Sequence, residues 1–277
     1  MLVQTLSITE PLAITASPLT KEAFAPFGDV ITNPRPESRP SNTTPEAIAA
    51  GALPFGAVST NQGSAIQYRA IASTPPQNLY DVAPSGRVAG PRMTMFVCGA
   101  RARAPVEESS EVEVRVLERH PFTSQTFIPL AVGSVARRYL VVVAPTMTTA
   151  AATEVKEGAD LLLPAPEGDG LPGRGLPDVK GLRGFLASGD QAVTYAAGTW
   201  HAPMIALGPA DSTIDFVVVQ YANDVAVEDC QEVALQVVGQ AHDGKEEEEY
   251  RIEGAASRIM VRVLEEGGDK RVDDVRL

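Results

Sequence analysis

Glu111-Val112-Glu113-Val114-Arg115-Val116 and Tyr139-Leu140-Val141-Val142-Val143-Ala144 are the two stretches that decide the fold. The first alternates polar with apolar residues, the two-residue period of a strand with one face in water. The second is apolar throughout, as a buried strand is. Working outward, β-type runs bounded by turn residues recur at 65–71, 92–98, 111–117, 125–130, 138–144, 182–187, 201–207, 213–221 and 233–238. The 23 glycines and 22 prolines supply the turns that so many short strands need. This spacing predicts an all-β fold with short helices, either a sandwich or a barrel.

Between these runs, Leu19-Thr20-Lys21-Glu22-Ala23-Phe24 reads as a short helix capped by Thr20, leading into Phe27-Gly28-Asp29-Val30-Ile31. Residues 33–54, with Pro34, Pro36, Pro40 and Pro45, read as an irregular excursion. Residues 145–181 turn to Thr, Ala, Gly and Pro with little periodicity. They are expected to form a surface insertion, because the strands on either side share one character. The acidic run Gly244-Lys245-Glu246-Glu247-Glu248-Glu249 reads as a solvated loop, with a late strand at 257–264. The organisation expected is therefore one domain over 1–277, with the insertion and a charged C-terminal extension at 241–277. Asp224, Glu228, Asp229 and Glu232 follow a strong strand and are expected at a solvated strand end or a dimer edge.

The chain has 277 residues, enough for a sizeable core, and a formal net charge of -12, which gives nucleic acid or an anionic membrane no electrostatic reason to approach. An anionic substrate must then be held by a local cation. The N-terminus lacks the basic start and apolar run of a signal peptide, and no apolar segment is long enough to span a bilayer. The expectation is a soluble cytoplasmic protein. The two cysteines, Cys98 and Cys230, are too few for a disulfide scaffold and lack the spacing of a zinc site.

Chemistry concentrates in two short motifs. Of the 3 histidines, His120 lies in Glu118-Arg119-His120-Pro121-Phe122 and His201 in Gly198-Thr199-Trp200-His201-Ala202-Pro203-Met204. In extended chain, residues two apart share a face, so Glu118 and His120 can enter one cavity, with Gln125 beyond and His201 approaching from a paired strand. One carboxylate, two imidazoles and an amide oxygen can form a ligand field for a divalent first-row metal, or a metal-free acid/base pocket.

These motifs resemble those of cupins. The first cupin motif sets His, His and Glu around a turn; Glu118, His120 and Gln125 fall at the corresponding positions, with Gly133 closing it. In the second, Gly189-Asp190 opens the segment and Gly198-Thr199-Trp200-His201 supplies the turn glycine and final histidine. Glu stands for the first His, Gln for Glu, and Tyr195 where proline is usual. The resemblance implies a cupin-like double-stranded β-helix, a β-barrel. A narrower resemblance is carried by Leu117-Glu118-Arg119-His120-Pro121-Phe122-Thr123-Ser124-Gln125-Thr126-Phe127-Ile128-Pro129-Leu130. Supporting blocks are 19–31, Asn61-Gln62-Gly63 with Tyr68-Arg69, 139–143, 182–204 and 215–232. Together they look like the ureidoglycolate lyases of allantoin catabolism, in a form similar to the fungal branch.

That resemblance implies cleavage of (S)-ureidoglycolate to glyoxylate and urea, with no water consumed. His120, His201 and Glu118 are the implied catalytic groups. Asn61, Gln62 and Arg69 would grip the substrate carboxylate, Gln125 would orient or ligate, and Tyr195, Trp200 and Tyr221 would wall the pocket. Any metal, nickel on this resemblance, would be held by Glu118, His120, Gln125 and His201, and the chain would be a homodimer. Two other readings are a non-catalytic cupin-type binder of a small hydroxy acid and an ammonia-releasing ureidoglycolate hydrolase. Product analysis separates them, since fold alone does not decide function.

Overall fold

The computed structural model describes residues 2–8, 10–73, 75–101, 104–106, 109–131, 137–147, 163–237 and 259–264. Its centre is an eight-stranded sheet in which Leu2–Ile8, Gln231–Val237, Val116–Arg119, Trp200–His201, Arg138–Ala144, Arg183–Ser188 and Ser17–Pro18 lie in that order. Ile205–Leu207 also pairs with Arg138–Ala144. A five-stranded sheet, Gly28–Ile31, Ala192–Tyr195, Gln125–Pro129, Thr213–Ala222 and Gly90–Gly99, faces it on one side. A four-stranded sheet of Leu12–Thr15, Ile259–Leu264, Ser109–Val114 and Ala104–Val106 faces it on the other.

The apolar run at 138–144 explains this layering. Tyr139, Val141 and Val143 pack with Phe127, Val193, Tyr195, Phe216 and Val218 in one core, while Leu140, Val142 and Ala144 pack with Val112, Val114, Ile259, Val261 and Val263 in a second. Successive side chains of a strand point to opposite faces, so a strand between two cores must be apolar at every position. The fold is all-β and cupin-like in its facing sheets. Among the described residues the hydrogen-bonded ladders stay separate and do not close into one ring, so the expected barrel takes the form of stacked sheets.

The run read as one strand at 111–117 is two, Ser109–Val114 and Val116–Arg119. Val112 and Val114 enter the second core, and so does Leu117, an odd-numbered position after two even ones. The phase therefore slips by one residue at Arg115 and Val116, where the chain leaves its pairing with Ile259–Leu264 for Gln231–Val237. A slip of one residue turns every later side chain to the other face. It carries Glu118 away from the second core and toward the five-stranded sheet.

Other departures are local. Thr20 caps the helix Lys21–Phe24 as expected, its hydroxyl accepting from Ala23 N at 3.2 Å. Inside the supposed irregular excursion, Pro45–Ala49 is helical: Thr44 accepts from Ala47 N at 3.3 Å, Pro45 occupies the first turn, and Glu46 suits the positive helix end. Its neighbouring prolines masked that signal. The late strand is present as Ile259–Leu264, tying part of the C-terminal extension between Leu12–Thr15 and Ser109–Val114. Of the insertion, Leu176 and Val179 pack against the second core, and Met147 N donates to Leu176 O and Asp178 N to Pro145 O. Gly133, the acidic run at 244–249 and residues 148–162 lie outside the described residues.

Candidate active site

Two facing sheets supply the site. Glu118 is directly opposite His201 on one neighbouring strand and opposite Glu232 on the other. His120 follows two residues on. From the facing sheet come Gln125 and Tyr195, themselves cross-strand partners, and Gln220, whose side-chain oxygen accepts from Gln125 Nε2 at 2.6 Å. The ligand atoms of Glu118, His120 and His201 lie within 4.8 Å of one another. The two imidazole centroids are 5.6 Å apart, and Glu118 Oε1 is 3.6 Å from His201 Nε2. The ring of Tyr195 stacks on His201 at 3.9 Å and 10°.

Hydrogen bonding fixes the tautomers. His120 Nδ1 lies 2.6 Å from Asp229 O, and His201 Nδ1 lies 2.8 Å from Thr199 O. A backbone carbonyl can only accept, so each Nδ1 carries the proton and each neutral ring presents a bare Nε2 lone pair. Both Nε2 atoms and Gln125 Oε1 are buried without a hydrogen-bond partner. Burial pushes His201 down to about 3, with neighbouring His120 adding to the effect. Burial also lowers His120, outweighing the Asp229 carbonyl and Gln125, which favour its charged form. Burial, aided by the Glu232 carboxylate across the strand, raises Glu118 to about 7. Near neutral pH the close Glu118–His201 approach is therefore no ion pair, since the imidazole is uncharged.

The cluster is thus rich in acceptors: two Nε2 lone pairs, an amide oxygen and a carboxylate that is half-ionised near neutrality. A buried acceptor without a donor costs free energy. What completes this set must bring positive charge, or O–H and N–H groups. Nitrogen and oxygen donors in this number suit a divalent first-row metal, and each imidazole carries the backbone-held Nδ1–H usual for a metal-bound histidine. The residues fit such an ion.

Among the described residues, the other expected site residues form no hydrogen bond or ion pair with this cluster. Trp200 is fully buried in the second core, with Arg119 Cζ 4.6 Å from its ring centroid. It is next to His201 on one strand, so the alternation that turns His201 to the cluster turns Trp200 away from it. Asn61, Gln62 and Arg69 are exposed on or beside the hairpin of Val58–Thr60 and Ala65–Gln67. Among the described residues no hydrogen bond or ion pair joins them to the histidines or Glu118. Tyr221 packs with Tyr80 and Phe122 in a separate small cluster.

Reading the sequence missed Gln220, the two carbonyls that hold the imidazoles, and Glu232. It also missed Cys230, whose Sγ is 4.0 Å from Glu118 Oε2 and whose thiol burial pushes up to about 12. All depend on which residues oppose which across strands, which linear spacing does not show. The acidic cluster is a solvated end only at Asp224, which is exposed and pairs with Arg92. Glu228 is buried and accepts from Ser85 N, Ser85 Oγ and Asn223 Nδ2, and Asp229 accepts from Tyr80 Oη, Asn223 N and Asp224 N. These bonds anchor the backbone whose Asp229 carbonyl holds His120.

Comparison with known proteins gives the family. The family model described as ureidoglycolate lyase matches residues 11–241. A ureidoglycolate lyase of Schizosaccharomyces pombe is 32% identical over 222 residues, 80% of this chain and 91% of the relative. One of Saccharomyces cerevisiae is 30% identical over 224 residues, 80% of this chain and 93% of the relative. One of Burkholderia mallei is 32% identical over 211 residues, 76% and 84% respectively. The chain belongs to the ureidoglycolate lyase family.

Proposed function

We propose that this protein is a lyase that splits (S)-ureidoglycolate into glyoxylate and urea at the Glu118, His120 and His201 cluster. The observation that carries the reading is the convergence of three acceptor groups, two of them orphaned Nε2 atoms, in a buried cluster between the sheets. The substrate brings the missing donors, a hydroxyl and ureido N–H groups.

The reaction moves one proton from oxygen to nitrogen. Glu118 as carboxylate takes the hydroxyl proton while the C=O bond forms. The C–N bond breaks with its electron pair passing to the ureido nitrogen, and the Glu118 carboxyl returns the proton there to release urea. A group that must both accept and give a proton works best with a pKa near the working pH, and Glu118 is raised to about 7. The imidazoles, held in one tautomer, fix the geometry of the reacting atoms. Their lone pairs repel a carboxylate placed against them directly, so they bear on substrate oxygens either through donors or through a cation. His120, His201, Gln125 and one oxygen of Glu118 would hold a divalent ion, nickel on the family resemblance, which when bound supplies Lewis-acid charge to the substrate oxygens. Arg69, with Asn61 and Gln62, is the suggested grip for the substrate carboxylate.

The chain is read as one cytoplasmic domain that pairs as a homodimer. Among the described residues no helix is long and apolar enough to cross a membrane. The edge strand Gly90–Gly99 leaves Met93 75%, Met95 58% and Val97 66% exposed, an apolar edge that a second copy would cover. Light scattering on the wild type and on Met95→Glu tests the pairing. The function is tested by product analysis of purified protein with ureidoglycolate. Glyoxylate and urea in equal amounts support it; ammonia and carbon dioxide, or no turnover above the spontaneous rate, contradict it.

A further inference from the structure

Behind the site, on the opposite face of the same strands, lies a second polar group that catalysis does not use. Arg119 is fully buried between Glu118 and His120 in the chain, and its guanidinium faces the second core. Its Nε donates to Gln231 Oε1 at 2.8 Å and its Nη1 to Gly173 O at 3.0 Å, while Nη2 is buried without a partner. Among the described residues no carboxylate forms an ion pair with it. A buried charge lacking a counter-charge is costly. A packed apolar residue would serve the core better.

What the guanidinium touches gives the reason. It stacks on Trp200, neighbour of His201; Trp200 Nε1 in turn donates to Gly175 O at 3.2 Å. It bonds Gln231, two residues from the Asp229 carbonyl that holds His120, and Gln231 Nε2 donates to Pro164 O and Val227 O. It also bonds Gly173 of the strap 163–181, and Pro172 of that strap abuts Gly198, where an added Cβ would fall 2.1 Å from the Pro172 Cβ. Gly198 has φ +77 and opens the turn that delivers His201, and its N–H donates to the His120 carbonyl. Two contacts of Arg119 therefore land within two residues of a group that sets the site, and the third adjoins Pro172, which abuts the turn before His201.

We infer that Arg119 is a positioning residue, a buried fork that locks the strand of Glu118 and His120, the turn of His201 and the strap 163–181 into one register from behind the sheet. The inference rests on the proposed site reading. Its planar fork, reaching two acceptors with its carbon 4.6 Å from an indole centroid, is a geometry lysine does not reproduce.

Arg119→Met and Arg119→Lys test it. Met keeps the packing volume and removes a poorly compensated charge, so the melting temperature is expected to stay level or rise. The kcat for urea release is expected to fall at least tenfold, with KM within twofold, and Lys is not expected to restore it. Independently of activity, imidazole 15N NMR of His201 should show one Nδ1–H tautomer in wild type and a mixture in Arg119→Met. Trp200, the only tryptophan, should shift its emission. A variant with kcat within twofold of wild type and an unchanged His201 tautomer overturns the inference, as does a loss of kcat that merely tracks a collapse in melting temperature. If wild type released no urea, the function reading would fall, and the His201 tautomer in Arg119→Met would still decide this one.

Discussion

Two buried polar clusters share Asp229, yet they differ in kind. In one, Glu228, Asp229, Asn223, Ser85 and Tyr80 match donors to acceptors, so the carboxylates lie buried at little cost. In the other, Glu118, His120, His201 and Gln125 bring acceptor atoms together, and three of these find nothing to accept from. The saturated cluster is a structural joint, while the unsaturated one is, on the proposed function, completed by what it binds. The joint serves the site, because it fixes the carbonyl that orients His120.

Glu118→Gln breaks the second cluster most sharply. It removes the proton carrier and should lower kcat about 10³-fold, measured by urea release with circular dichroism unchanged. In wild type the kcat should rise with pH through about 7, as Glu118 ionises, and a profile flat across that range would remove Glu118 from the proton-transfer role. Glu228→Ala strikes the first cluster instead. It removes three hydrogen bonds and should cost about 2–4 kcal/mol in denaturant unfolding, with KM unchanged.

Stability separates the clusters again through the sign of the pH effect. Glu118 has a folded pKa raised above its unfolded value, so ionising it opposes folding; that cost is absent below about pH 4 and complete above about 7. In ion-free protein, Glu118→Gln should therefore gain about 2–3 kcal/mol at pH 8 and nothing at pH 4, read from urea melts. Tyr80→Phe is the mildest change. It removes one bond to Asp229, which keeps two backbone donors, and should cost about 1 kcal/mol with kcat within a few fold.

Much of the fold was legible because burial leaves a period. The alternation at 111–114 and the unbroken apolar run at 138–144 each predicted the faces they bury, and Thr20 announced its helix. The site was legible only in part. Glu118, His120, Gln125 and His201 do meet, but the slip at Arg115 that aims Glu118 leaves no mark in the pattern of residue types, because Val116 and Leu117 are both apolar. Trp200 was misplaced for the same reason: an aromatic beside a site histidine reads as a wall until the strand's alternation is known. The Asp229 and Thr199 carbonyls are invisible to any reading of side chains.

The central claim, that the orphaned lone pairs mark the place where ureidoglycolate is cleaved, is tested most directly by urea release from His201→Ala beside wild type. The account predicts a rate at least 100-fold below wild type in a variant whose circular dichroism is unchanged. A variant that still releases urea at more than half the wild-type rate contradicts it.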